Sequence, residues 1–368
     1  LGDVALLPGL INAHTHLELS HFDHPLAQPG VRLVEWIPRL LARCAEASMS
    51  DADSIGRGLD ECLRSGSTAL ADIASTPWPP GLLDRCPDHS AVFQELIGPT
   101  PERAASALEL AQRHLATPPG GHRQWGLSPH APYTVRPELL EAAVELAAQA
   151  GAPVAMHLAE SWEEIELLET GGGPFREMLE ALGAWSPGLV PAPVRPLDYL
   201  RKLAAAPRTL IIHGNYLSAR EWSFLAERRE RMAVVYCPRS HAHFGHAAYP
   251  LGRMLAAGVP VCLGTDSRAS TPDLSLLAEM RLAAARHPDV APATLVELGT
   301  LAAARVLGCD DALGSLAPGK RANLVAVALP TTPPADPYQA VLHGNGRVVE
   351  VVLHGVRLPR ERLGLAKA

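Results

Sequence analysis

The chain has 368 residues, 47% of them apolar and 19% charged, a balance that can bury a sizeable core and suits one large α/β domain with a small appendage. Its net charge of -7 leaves no excess of cations for a phosphate backbone, so nucleic acid is not an expected partner. No apolar run reaches the roughly 18 residues needed to span a bilayer, and six cysteines without CxxC spacing read as reduced thiols of a cytoplasmic protein.

In chain order, short β-rich apolar runs alternate with stretches of helical periodicity. The predicted strands cover residues 4–11, 68–73, 91–97, 124–127, 153–157, 209–213, 232–237 and 259–263; helical stretches between them include 31–47, 101–115, 137–150 and 274–286. Eight strands in this rhythm predict the α/β class and a (β/α)8 TIM-like barrel, whose catalytic groups stand at the C-terminal strand ends. A doubly wound sheet also alternates, but it requires a Gly-rich phosphate loop after its first strand. This chain has Asn12-Ala13-His14-Thr15-His16 there. Residues 171–196, rich in Gly and Pro, read as a long loop covering the barrel mouth. After a helix over 293–307, strands at 323–329 and 348–358 predict part of a small β-sandwich domain. The expected division is a barrel over 1–318 and a small domain over 319–368, with the partner strands of the latter placed before Leu1.

Metal-ligand side chains fall at strand ends. His14 and His16, two apart on an extended segment, project to the same side and can grip one divalent cation. His157 ends the fifth strand and Asp266 follows the eighth; imidazole and carboxylate ligands with a position left for water describe a catalytic site. Each has a plainer reading when taken alone: a satisfied core histidine for His157, and a helix N-cap for Asp266. Glu160, three residues after His157, could pass a proton between a water nucleophile and a ring nitrogen, or merely favour the next helix as a first-turn acid. His213 ends strand six and could orient the attacking water, stabilise an oxyanion or serve as a further ligand. Lys202, Lys320 and Lys367 all lie away from the end of strand four, where Ser128-Pro129-His130 stands. A modified lysine bridging two metals is thus missing, and a single metal is expected.

Three segments resemble the amidohydrolase superfamily, specifically its deaminase branch: Leu7-Pro8-Gly9-Leu10-Ile11-Asn12-Ala13-His14-Thr15-His16, His157-Leu158-Ala159-Glu160 and Leu316-Ala317-Pro318-Gly319-Lys320-Arg321-Ala322-Asn323-Leu324-Val325. The resemblance implies a metallo-dependent hydrolase barrel with one divalent metal ion, zinc in preference to iron, held by His14, His16, His157 and Asp266. It implies Glu160 and His213 as the proton-handling pair, with Asp266 receiving a proton from the attacking water. Ser128-Pro129-His130-Ala131-Pro132-Tyr133-Thr134-Val135 and Tyr236-Cys237-Pro238-Arg239-Ser240-His241 are most similar to the aminofutalosine deaminase group. Those enzymes convert the adenine moiety of 6-amino-6-deoxyfutalosine to hypoxanthine in menaquinone synthesis.

The implied activity is hydrolytic deamination of an adenine-type nucleoside, with Glu95, His130, Arg239 and Ser240 as substrate contacts and His243 and His246 in a solvated loop. Deamination of S-adenosylhomocysteine, methylthioadenosine or guanine is the neighbouring alternative. Chlorohydrolase or cyclic-amidase chemistry on the same scaffold is another, and a non-catalytic metal-binding scaffold a third. The implied partner is a small nucleoside-like molecule, and dimers are common in the branch.

Overall fold

The predicted first strand splits at Gly9 in the computed structural model, which describes residues 3–117, 119–359 and 361. β1 (Val4–Pro8) leaves for a small antiparallel sheet, while β2 (Leu10–Thr15) enters the barrel. The cause is steric. A Cβ at residue 9 would lie 2.0 Å from Thr68 Oγ1, so only glycine lets the chain pass this close to the next strand while it changes sheets.

β3 (Ser67–Ala74), β4 (Ala91–Leu96), β5 (Gln124–Pro129), β6 (Val154–Leu158), β7 (Thr209–His213), β8 (Met232–Tyr236) and β9 (Val261–Leu263) follow β2 in sequence order around an eight-stranded parallel sheet. Every residue of β2, β3, β6, β7 and β8 is buried, as a parallel barrel covered by helices requires. The circle closes at a short seam between β2 and the end of β9. There Thr15 and Asp266 form a parallel bridge, and the N–H groups of Thr265 and Asp266 both donate to the His14 carbonyl, at 3.0 and 3.1 Å.

The helices Pro101–Leu115 and Pro137–Ala150 start on proline, whose fixed φ suits a first helical turn. Leu139, Leu140, Ala143, Val144 and Ala147 of the second form a buried stripe at helical spacing. The same proline signal explains a correction. Residues 171–196, read above as a loop, contain the helix Pro174–Ala181, and Pro196 opens a further helix, Pro196–Leu203. Prolines taken as loop markers here occupy helix starts. The helix expected over 293–307 is broken at Gly299 and Thr300 into Pro292–Leu298 and Leu301–Leu307.

β10 (Leu324–Ala328) lies between β1 and β11 (Val348–Leu353), and β12 (Val356–Arg357) forms the edge; all pairings are antiparallel. Val4 pairs with Ala328 and Pro8 with Leu324, so one partner strand of the small sheet lies at the start of this sequence, in the stretch first assigned to the barrel. We propose the domain division in amended form: Val4–Pro8 joins the small sheet of residues 319–361, and the barrel runs from residue 10 to 318.

Candidate metal centre and catalytic pocket

The ends of β2, β6 and β7 and the residues after β9 bring His14, His16, His157, His213 and Asp266 to one point at the C-terminal mouth of the barrel. His16 Nε2 and His157 Nε2 lie 3.4 Å apart, and His14 Nε2 lies 3.7 Å from Asp266 Oδ1. Ligands at about 2.0–2.1 Å from one tetrahedral cation stand roughly 3.3–3.4 Å from one another, so these separations read better as a ligand cage than as hydrogen bonds. Both ring nitrogens of His14 are buried without a hydrogen-bond partner among the described residues, an orphaned pair that a cation would satisfy at one nitrogen. His157 Nδ1 faces the His130 carbonyl at 3.2 Å, which keeps the proton on Nδ1 and leaves the Nε2 lone pair facing the cluster. Burial lowers the His16 pKa to about 3, and burial with the surrounding histidines takes His157 well below its usual range, so both are neutral and able to ligate. The donor set fits a divalent cation. His213 also stands within 4.8 Å of His14 and His157 by its nearest ring nitrogen, so a ligand role and a catalytic one share the same geometry.

Packing around these groups is tight. Asp266 Oδ2 accepts from Ser240 Oγ at 2.5 Å and from Ser270 Oγ at 3.2 Å. Burial works to raise this carboxyl, yet the contact with His14 and the fields of His213 and His16 outweigh it and hold Asp266 well below the usual carboxylate range. A Cβ at Gly264 would stand 2.7 Å from His14 Cβ, so the strand end approaches His14 only because residue 264 is glycine. Ala159, His213 and Asp266 adopt left-handed φ values of 54, 66 and 58°, at a cost of roughly 1–2 kcal/mol each that the surrounding bonds must hold. For His213, Tyr249 Oη donates to its carbonyl at 3.1 Å.

Glu160 Oε1 lies 3.3 Å from His213 Nε2, both side chains almost fully buried. Burial, then the negative charges of Asp266 and Glu164, push the Glu160 carboxyl well above its usual range; burial lowers His213 to about 3. A carboxyl whose protonated form is favoured by burial therefore faces a neutral imidazole, the arrangement a general acid needs. Above them lies a cavity of about 470 Å³. His16, His157, Glu160, His213 and Asp266 line it together with Glu18, Glu95 and His130, against an apolar wall that includes Trp36, Leu40, Met178 and Phe244. Met178 belongs to the helix that replaced the predicted loop.

The amidohydrolase family matches this chain over residues 5–358. The chain belongs to that family. It is a hydrolytic enzyme acting on C–N bonds, in a family that depends on metal. The chain is 31% identical over 322 residues to the aminodeoxyfutalosine deaminase of Deinococcus radiodurans, covering 82% of this chain and 73% of that one. It is 34% identical over 384 aligned positions to the 5-methylthioadenosine/S-adenosylhomocysteine deaminase of Desulforudis audaxviator, covering 96% and 81%. Among solved structures, an adenosine deaminase from Xanthomonas campestris with bound zinc superposes with a TM-score of 0.75 at 25% identity, covering 96% of this chain and 80% of that one.

Of the four expected substrate contacts, two face the cavity of this amidohydrolase and two are turned elsewhere. Glu95 and His130 line it, with His130 Nε2 4.0 Å from Glu95 Oε1; burial and then the Glu18 charge raise Glu95 to about 8, and burial lowers His130 to about 4. Arg239 is a correction: its guanidinium pairs with Glu279 at 2.6 Å and Asp273 at 2.7 Å, tying the helix Pro238–His243 to Leu276–Arg286. Ser240 is another, since its hydroxyl is given to Asp266. His243 is buried in the helix Pro238–His243, with Nε2 3.0 Å from the Leu26 carbonyl, and so does not sit in a solvated loop; His246 is half-buried in the loop that follows, between exposed neighbours. All six thiols are free, five of them buried and Cys44 half-buried, and no helix among the described residues is long and apolar enough to cross a membrane.

Sequence reading missed Asp72, wholly buried in β3, which accepts the Leu17 N–H and Trp78 Nε1–H at 2.8 Å each and fixes the chain just past His16. The signal was available: an aspartate inside Ala-Leu-Ala-Asp-Ile interrupts the run 69–74, which is otherwise apolar on both faces. Glu18 was missed too, although it stands two residues beyond His16; its carboxylate binds Ser75 at the cavity edge.

Proposed function

We propose that this amidohydrolase is a hydrolytic deaminase of adenine-type nucleosides that holds one divalent cation, zinc by preference, on His14, His16, His157 and Asp266. The observation that carries the reading is the 3.3 Å approach of Glu160 Oε1 to His213 Nε2 beside that ligand cluster. When bound, the cation supplies an acidified water as the nucleophile at neutral pH. The protein's own groups manage the protons. Glu160, kept protonated by burial, gives its proton to the ring nitrogen next to the amine-bearing carbon. His213 orients the water and stabilises the negative oxygen that develops on attack. Asp266, steadied on one oxygen by Ser240 and Ser270, receives a proton from the water and passes it to the departing amine, which leaves as ammonia, while the second water proton returns to Glu160 as the product carbonyl forms.

A cavity of about 470 Å³ with one apolar wall suits a purine nucleoside whose base lies flat near the ligand cluster, with His130 and Glu95 as its polar contacts. Within that class we favour aminodeoxyfutalosine, the substrate named for the Deinococcus relative, over 5-methylthioadenosine and S-adenosylhomocysteine, named for the Desulforudis relative. The test is ammonia release screened over adenosine, these three nucleosides, guanine and cytosine. The expected result is release from an adenine nucleoside, fastest with aminodeoxyfutalosine and lost in Glu160→Gln; undiminished release by Glu160→Gln would sink the mechanism.

A further inference from the structure

Glu164 is wholly buried one helical turn beyond Glu160, at the start of the helix Trp162–Thr170. Its two carboxylate oxygens take different partners. Oε1 accepts the N–H of Ala159 and Oε2 the N–H of Glu160, each at 2.8 Å, and its own N–H donates to Ser161 Oγ at 3.2 Å. Ala159 is the residue held at a φ of 54°. From the other side, the Ala159 carbonyl accepts the Tyr216 N–H at 3.0 Å, and the Glu160 carbonyl accepts Asn215 Nδ2 at 2.8 Å. Every backbone polar group of Ala159 and Glu160 is therefore engaged, and Tyr216 and Asn215 come from the loop that follows His213.

We propose that Glu164 is a positioning residue for Glu160: its carboxylate locks the left-handed turn at Ala159 and so aims the Glu160 side chain at His213. The inference rests on the reading of Glu160 as the proton-handling group. Only a carboxylate supplies two acceptors here, because glutamine would set its NH₂ against one of the two backbone N–H donors. Loss of the clamp lets the turn at Ala159 relax toward ordinary φ and swings Glu160 off its partner, and misplacement by about 1 Å costs on the order of 10²-fold in rate.

The experiment measures kcat, KM and bound metal for Glu164→Gln on an adenine nucleoside that the wild type deaminates. The expected result is kcat per bound metal reduced about 10²-fold, with KM within about threefold and metal content at the wild-type level. Adding Ala159→Gly, which makes the left-handed turn free of side-chain strain, should recover kcat several-fold in the Glu164→Gln background. Wild-type kcat per bound metal would overturn the inference, as would a loss confined to melting temperature and metal content, since those are what a merely structural role moves. If Glu164→Gln is not recovered folded, Glu164→Asp, which keeps the charge and shortens the reach by one methylene, is measured with the same expected split. The two readings fail separately. An unimpaired Glu160→Gln overturns the proton-handling role, whereas an inactive Glu160→Gln beside a fully active Glu164→Gln overturns only the positioning.

Discussion

Ser240 donates to Asp266 at 2.5 Å and stands outside the cavity lining, so its effect reaches the reaction only through Asp266. Ser240→Ala should weaken metal binding about 10- to 100-fold in competition with a chelator, as loss of a partner to a ligand does elsewhere. KM for the nucleoside, measured at saturating metal, should stay within about twofold; a large KM effect with unchanged metal affinity would restore the substrate-contact role. Away from the site, His114 offers a clean titration: its ring lies against Trp125, its Nε2 is 3.3 Å from the Val92 carbonyl, and burial lowers its pKa from 6.5 to about 4. A depressed histidine contributes stability that is complete above its unfolded pKa of 6.5 and is lost as pH falls toward 4. The stability difference between wild type and His114→Gln should accordingly be flat above about pH 6.5 and shift in favour of the variant on acidification, followed by urea unfolding. A difference independent of pH from 4 to 7 would contradict this. Residue identity made the proposed ligands legible in the sequence, because imidazoles and a carboxylate at strand ends have few other uses. Arg239 was misread because the sequence gives its position and not its direction; its partners, Asp273 and Glu279, lie on a later segment with no local mark.

Strands and their junctions set how closely these groups approach. At the seam, Asn12 Nδ2 donates to Thr265 Oγ1 at 2.8 Å and Asn12 Oδ1 accepts the Thr265 N–H at 3.1 Å, which pins the end of β9 beside His14. Gly264→Ala inserts a methyl 2.7 Å from His14 Cβ and 2.9 Å from its carbonyl oxygen, neither of which is the end of a flexible side chain. The seam must open, so this variant should fold with less than half the wild-type metal per chain and correspondingly reduced activity, read by elemental analysis. Full metal occupancy and activity would show that the seam gives way harmlessly. The strand-and-helix alternation was readable because β-rich runs and 3.6-residue periodicity survive in the sequence. The switch of sheets at Gly9 carried only one local mark, the Pro8-Gly9 pair, which signals a break in the run from Val4 to Ile11 without saying that its two halves pair in different sheets. Helix Pro174–Ala181 was hidden by prolines that start helices as readily as they end them.

Taken as a whole, the molecule joins residues 252 positions apart, His14 and Asp266, by closing the barrel through a seam only one bridge long. The same closure brings the proposed ligand cluster and the proton-handling pair into one cavity, lined by residues from either side of the mouth. The barrel order was legible from the count of strands, whereas the cavity was not, because its apolar wall is assembled from Trp36, Met178 and Phe244 on three separate segments. The direct measurement is ammonia release from an adenine nucleoside as metal-stripped protein is titrated with zinc. Activity should rise linearly and level off at one equivalent per chain in the wild type, with Glu160→Gln binding the same single equivalent and remaining at least about 10²-fold slower. A plateau at two equivalents, or full activity in the stripped protein, would contradict a single-metal deaminase.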